Sequence, residues 1–309
     1  MIGNASKLLR YPDRLADFWL GRPVIPIALE LHPTNRCNQR CSYCPIKHSP
    51  TDLLNLAGVV DQARDLGIRG ITLTGGGEPM LANIASATGR GLPVGLITNG
   101  SVEVSDPRPG THRRMIFGLF SWVRFSVDAC DPKAYKAIRG VDMPDCLEDN
   151  IRMASRATTT GVQMVITKDN VNHVQDMAAW AKELGADYLY VRPNESGELI
   201  WPNDAMLAGV PGIRMIVRRD KLTTPQPAKC VQGHFTMTVT ADGRCWACSC
   251  LGPRYCVGDL KSSTLEEVVY SKQREKVMAG LKTEGCPPMC RGLAVNAAIA
   301  ESGEHCQWL

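Results

Sequence analysis

Three cysteines stand within eight residues at Cys37-Asn38-Gln39-Arg40-Cys41-Ser42-Tyr43-Cys44. A loop this short can wrap three thiolates around one metal centre, and thiolates are soft ligands suited to zinc or iron–sulfur chemistry. His48 is the nearest residue that could complete a tetrahedral zinc set. An iron–sulfur cluster held by three thiolates would instead leave one iron open to a cofactor or substrate. A second group of cysteines crowds the last 80 residues, where Cys230, Cys248, Cys286 and Cys290 form a plausible four-thiolate set. Four thiolates would close a cluster with no open iron, and a zinc knuckle is the competing reading. Between the two groups lies Thr74-Gly75-Gly76-Gly77-Glu78-Pro79. Its glycines permit close backbone approach to a ligand, and the Glu78 carboxylate could accept from an ammonium group.

Thirteen cysteines in 309 residues first raise the question of compartment. The N-terminal MIGNASKLLRYPDRLADFW has no apolar run ending in a small-residue cleavage site, and no later stretch approaches the roughly 18 apolar residues of a membrane span. A cytoplasmic chain with reduced thiols is expected, and an odd cysteine count cannot form a complete intrachain disulfide framework. Clustered cysteines then point to metal or redox chemistry. Lys+Arg 35 against Asp+Glu 31 is too mild an imbalance to indicate nucleic acid. With 44% hydrophobic and 21% charged residues, the chain is neither disordered nor a coiled coil.

The elements that must position these residues alternate. Strand-like runs at Pro26–Leu31, Gly70–Thr74, Val94–Thr98, Val123–Val127, Val162–Thr167 and Tyr188–Val191 alternate with helical patterns such as Asp52–Leu66, Asp145–Ala157 and Val171–Leu184. Six such strands predict a parallel α/β array, open or partly closed. Around Pro225-Gln226-Pro227 the texture changes. Phe235–Thr240, the turn Ala241-Asp242-Gly243 and Arg244–Ser249 then read as a β-hairpin, and Thr264–Leu281 as one amphipathic helix.

The spacing C-x3-C-x2-C, with aromatic Tyr43 before the third cysteine, resembles the radical S-adenosylmethionine (SAM) superfamily. The resemblance implies a partial (β/α)6 TIM-type barrel over 23–225, after an N-terminal extension at 1–22. It implies SAM and a [4Fe–4S] cluster on Cys37, Cys41 and Cys44 at the C-terminal face, and a 5′-deoxyadenosyl radical that abstracts hydrogen. The Gly75-Gly76-Gly77-Glu78 turn would then receive the SAM amino group. Asn99, Ser126 and Asp128 would line the SAM pocket, and Arg139 would pair with its carboxylate. Ile166 and Val191 would pack near the adenine. An external electron donor such as flavodoxin or ferredoxin is implied as well.

Gly243, five residues before Cys248, resembles the opening of the SPASM/twitch extensions of this superfamily. That implies a small α+β domain over 226–309 and a second [4Fe–4S] cluster on Cys230, Cys248, Cys286 and Cys290, with Cys256 and Cys306 as possible substitutes. Cys248-Ser249-Cys250 is singled out, because a thiol beside a ligand could return hydrogen to a carbon radical. A serine hydroxyl could not, its O–H bond being much stronger than S–H. If 249 is the donor position, Ser249 departs from that chemistry, as a Cys→Ser replacement would. On a strand expected to face the barrel mouth, Ser249 and Cys250 are thus the candidate catalytic positions.

The compact layout resembles the radical SAM enzymes of aminoglycoside antibiotic biosynthesis, which implies an epimerase acting on a polycationic aminosugar. Carboxylates and aromatic faces should meet such a substrate, and Glu30, Asp128, Glu195, Glu198, Asp204, Trp201 and Trp246 are the candidates. Basic stretches such as His112-Arg113-Arg114 and Arg218-Arg219 read as exposed faces. A dehydrogenase and a zinc-binding module remain alternatives. So does a peptide-modifying enzyme, although about 25 residues before the first strand leave little room for a leader-binding domain.

Overall fold

The computed structural model describes residues 5–53, 55–103, 115–195, 199–219, 222, 227–249, 252–284, 286, 290 and 292–305. Parallel strands β1 (Ala28–Leu31), β2 (Gly70–Leu73), β3 (Val94–Thr98), β4 (Trp122–Ser126), β5 (Thr159–Ile166) and β6 (Tyr188–Pro193) occupy the six expected places. A seventh, β7 (Arg214–Val217), pairs parallel with β6 and was not legible in the sequence. The hairpin is β8 (Thr236–Val239) and β9 (Arg244–Trp246), followed by β10 (Cys256–Asp259). The sheet runs in the order β10-β9-β8-β1-β2-β3-β4-β5-β6-β7 and does not close.

β8 lies parallel against β1, with Thr238 opposite Glu30, so the hairpin extends the same sheet as the barrel strands. The far N-terminal segment also joins the C-terminal part. Leu8, Val24 and Ile27 share a buried cluster with Val231, Phe235, Val295 and Ile299. The Arg274 guanidinium donates to Val24 O at 2.9 Å.

Strand alternation sorts the two faces. Leu29, Leu31, Ile71, Leu73, Leu96, Val123, Phe125, Val162, Met164, Leu189 and Val191 are buried in one core with residues of the helices Leu56–Asp65, Cys146–Ser155 and Val174–Glu183. The register places Glu30, Thr72, Arg124, Gln163, Tyr190 and Thr238 on the opposite, polar face. Arg124 stacks there on Tyr190, 4.6 Å from the ring centroid. Arg218 donates to the Tyr190 hydroxyl at 2.7 Å and is buried, so it is not part of an exposed basic stretch.

The helix expected over Thr264–Leu281 is two helices, Leu265–Val269 and Lys272–Ala279. Ser271 interrupts it: its side chain accepts from Arg274 N and caps the second helix, as the Thr264 and Glu267 capping box starts the first. His112, Arg113, Arg114, Glu198, Cys250 and Cys306 lie outside the described residues.

Candidate active site

The cysteine loop leaves β1 and docks on the end of the helix Pro132–Arg139. Arg40 N donates to Arg139 O at 3.0 Å and Ser42 N to Ile138 O at 2.8 Å. Carbonyls that a helix end leaves open are thereby satisfied by the loop. Gly140 stops the helix at φ 69°, and a Cβ there would sit 2.6 Å from Arg40 O.

Beneath the loop is a buried ion pair. Arg139 Nη2 lies 2.8 Å from Asp128 Oδ2, the side chains being 4% and 0% exposed. Tyr43 OH donates to Asp128 Oδ2 at 2.6 Å, and Val165 N donates to Oδ1 at 2.8 Å. Arg139 Nη1 reaches Gln39 Oε1 at 3.4 Å and Cys41 Sγ at 3.6 Å. Burial alone would pull the Arg139 pKa down, but Asp128 carries it above its ordinary value. Arg139, expected to meet the SAM carboxylate, is paired in the structure with a carboxylate of the protein. Its guanidinium is committed to Asp128, to the loop and to Val127 O, because the helix end points it under the cysteines. Asp128 likewise supports the loop instead of facing a substrate. Its backbone sits at φ 73°, held by Asn170 Nδ2 donating to Asp128 O at 2.9 Å. Asn170, Gln39 and Tyr135, whose hydroxyl accepts from Gln39 Nε2, escaped the sequence reading. Their role comes from contacts between residues 42 to 100 positions apart in the chain.

The glycine-rich turn packs on the same loop from the other side. Gly77 N donates to Thr34 O at 2.9 Å and Glu78 N to Arg36 O at 2.7 Å. A Cβ would meet Asn35 Oδ1 at 2.0 Å on Gly76 and Arg36 O at 1.9 Å on Gly77. The close approach these glycines permit is to the chain itself. Glu78 Oε1 accepts from Thr98 Oγ1 at 2.5 Å and Met80 N at 3.0 Å, and Oε2 from Asn99 N at 2.7 Å. Three of its four acceptor sites are filled by the protein, which leaves one for the ammonium group expected there. Burial raises the Glu78 pKa against these bonds. Asn99 Nδ2 in turn donates to Asn38 Oδ1 of the cysteine loop at 2.8 Å. Ser126 stays on the polar face, within 3.5 Å of Gln163 Nε2. Ile166 and Val191 do not: both are fully buried in the helix-facing core, because alternation puts Val165 and Arg192 on the other side.

The donor set suits an iron–sulfur cluster. Cys37, Cys41 and Cys44 are half-buried free thiols. They are near enough that ionised Cys41 and Cys44 raise the Cys37 pKa, after burial as the main cause. Among the described residues no three His, Cys, Asp or Glu side chains converge as a single ion would require. Burial also raises Cys41, and Arg139 opposes it.

Cys230, Cys248, Cys286 and Cys290 are likewise half-buried. Asn296 Nδ2 lies 3.6 Å from Cys230 Sγ, Tyr255 OH 3.7 Å from Cys286 Sγ, and Gly292 N donates to Cys290 Sγ at 3.3 Å. Burial raises the Cys230 pKa, and burial together with Cys286 pushes Tyr255 up to about 12.

This set does not sit at the end of the sheet that bears Cys37. β9 runs antiparallel to β8, with Trp246 opposite Thr238 and hence level with Glu30. Beyond Trp246 the chain heads toward the N-terminal ends of the barrel strands, so Ser249 does not lie at the expected barrel mouth. A Cβ on Gly233, just before β8, would meet Ala247 O at 2.8 Å, which fixes that placement. About five residues of strand at ~3.3 Å each separate the two thiol sets by roughly 15 Å or more.

The expected substrate contacts are mostly elsewhere. Trp246 is buried, donates to Thr240 Oγ1 at 2.8 Å and has Arg244 over its ring at 5.1 Å, so no face is open for stacking. Asp204 is 85% exposed and paired with Arg219, a solvated loop contact. Glu195 pairs with Arg192 at 3.1 Å. Glu30 remains on the polar face, its Oε1 3.3 Å from His32 Nε2. Trp201 packs against the main core, its buried indole N–H having no hydrogen-bond partner among the described residues.

Residues 31–181 match the Radical SAM superfamily model, and residues 230–292 match the model of the SPASM iron–sulfur cluster-binding domain. A GTP 3′,8-cyclase of Thermodesulfovibrio yellowstonii is 26% identical over 199 residues, covering 58% of this chain and 60% of that protein. The mycofactocin maturase MftC of Mycolicibacterium smegmatis is 25% identical over 190 residues, covering 57% and 47%. The chain spans about half the length of these curated relatives. In fold it is similar to Streptococcus suis SuiB, solved with its precursor peptide SuiA, at TM-score 0.67 and 13% identity over 89% of this chain and 71% of that one. SuiB has also been solved with SAM. No helix among the described residues is long and apolar enough to cross a membrane. The cofactors that go with these domains are SAM and [4Fe–4S] clusters. Residues 31–181 are thus a Radical SAM superfamily domain, joined through one continuous sheet to a SPASM iron–sulfur cluster-binding domain at 230–292.

Proposed function

We propose that the protein is a radical SAM epimerase that inverts one carbon of an aminoglycoside. The observation that carries this reading is the placement of the two thiol sets at opposite ends of the sheet. A substrate held between them on the polar face loses hydrogen toward one end and regains it from the other, which inverts the carbon. When bound at Cys37, Cys41 and Cys44, the cluster and SAM supply abstraction of that hydrogen atom. The remaining work belongs to the chain. Cys230, Cys248, Cys286 and Cys290 hold the auxiliary cluster, and the segment after Cys248 supplies the returning hydrogen. Cys250 carries a thiol for this, whereas Ser249 does not. Glu30, with the neighbouring His32, offers a carboxylate to the amino groups of the substrate.

A peptide substrate is the second reading, favoured by the likeness to SuiB with its precursor peptide and by the match to the maturase MftC. Turnover with reductant and SAM in D2O separates the readings. An isomeric aminoglycoside carrying one non-exchangeable deuterium supports the epimerase. A product two mass units lighter makes the protein a dehydrogenase. Turnover of peptides alone replaces the substrate class. Ser249→Cys and Cys250→Ala then locate the donor, since only the variant that gains or loses deuterium return alters the relevant position.

A further inference from the structure

The Arg139–Asp128 pair has no open face toward a substrate, yet one arm of the guanidinium ends on a cysteine sulfur. We infer that Arg139 and Asp128 are positioning residues that set the reduction potential of the cluster through Cys41, Arg139 raising it and Asp128 restraining that rise. The inference rests on Cys37, Cys41 and Cys44 holding the cluster.

The geometry leaves little freedom. Arg139 Nη1 is 3.6 Å from Cys41 Sγ, and Nη2 is 2.8 Å from Asp128 Oδ2. Arg139 Nε is tied to Val127 O at 3.2 Å. Asp128 is clamped by Tyr43 OH and Val165 N. Away from water such charges are weakly screened. Adding an electron makes the cluster more negative. A guanidinium against a ligand sulfur favours the reduced state, and a carboxylate behind it opposes this. Hydrogen bonds to cluster sulfurs and local net charge are established determinants of potential. Removing either partner should therefore move the potential in opposite directions, which a purely structural brace would not do.

The test is an EPR-monitored redox titration of the reconstituted SAM-free holoprotein, following the signal that changes when SAM is added afterwards. Arg139→Gln should lower the reduced-to-oxidised ratio at fixed solution potential at least tenfold, equivalent to about 59 mV for one electron. Asp128→Asn should raise it by a similar factor. Asparagine tolerates the left-handed backbone at 128 and can still accept from Val165 N. The double variant should return to within about threefold of the parent. If iron content is unchanged and both single variants titrate like the parent, or move together, the inference is overturned. So too if Arg139→Gln weakens SAM binding while the SAM-free potential stays fixed. If Arg139→Gln loses its cluster, Asp128→Asn decides alone, and no rise refutes the role. Cys41→Ala keeps the two readings apart. Retention of the SAM-responsive signal there would refute the ligand assignment itself.

Discussion

The Gly77 contact makes the strongest structural prediction, because it couples the glycine-rich turn to the residue preceding Cys37. In Gly77→Ala the new methyl carbon would be placed 1.9 Å from Arg36 O and 2.7 Å from Asn35 C. Real contacts begin near 3.0 Å, so the two segments must separate by about 1 Å, and backbone atoms on both sides cannot rotate away. The separation removes two short bonds, Gly77 N to Thr34 O and Glu78 N to Arg36 O. Each is worth about 0.5–1.5 kcal/mol, and forcing a methyl into packed structure adds about 1–3 kcal/mol. We expect a loss of about 2–6 kcal/mol, together with reduced iron incorporation at the first cysteine set. Gly209→Ala is the control, having no atom within 4 Å of its added Cβ and no positive φ. Urea denaturation of the two variants gives the stability difference, and iron and sulfide analysis after anaerobic reconstitution gives cluster loading. A Gly77→Ala protein with the parent's midpoint and full iron content would refute the packing argument.

Cys248→Ala should abolish the auxiliary iron signal and leave the SAM-responsive signal in place, as read by iron stoichiometry and EPR. Asp204→Asn should leave the KM for an aminoglycoside within twofold, because that carboxylate is exposed and paired with Arg219. His234 is held at about 4 instead of 6.5, by burial first and then by Arg274 and Lys229. Its neutral form is favoured in the fold, so its contribution is complete above pH 6.5 and is lost as the pH falls toward 4. The loss is about 2–3 kcal/mol after screening. The stability of His234→Gln should accordingly fall less than the parent's between pH 6.5 and 4, followed by denaturant midpoint.

The candidate cluster thiols stand out in the sequence because the residues of a short loop are contiguous. Cys37, Cys41, Cys44 and the turn Gly75–Glu78 are recognisable by type and spacing alone. The strands were legible for a similar reason: Val94–Thr98 is a buried β-run whose hydrophobicity is local, and the structure gives it the same bounds. The single helix expected over Thr264–Leu281 failed where one side chain, Ser271, finds a nearby backbone N–H to cap. Periodicity does not register such a bond.

What only the tertiary structure decided is where each polar group points. Glu78, Asp128 and Arg139 have the residue types of ligand-binding groups, but they brace the loop, because burial forces each to find a partner within the protein. Trp246 and Ile166 have the types that stack on or pack around ligands, but both are buried, Ile166 because strand register turns it into the helix-facing core and Trp246 beneath Arg244. Register likewise turned the second cysteine set to the far end of the sheet, through the parallel pairing of β8 with β1. Side-chain type and spacing are properties of neighbours in sequence. Facing and partnership depend on pairing across more than 200 residues, which no local pattern encodes.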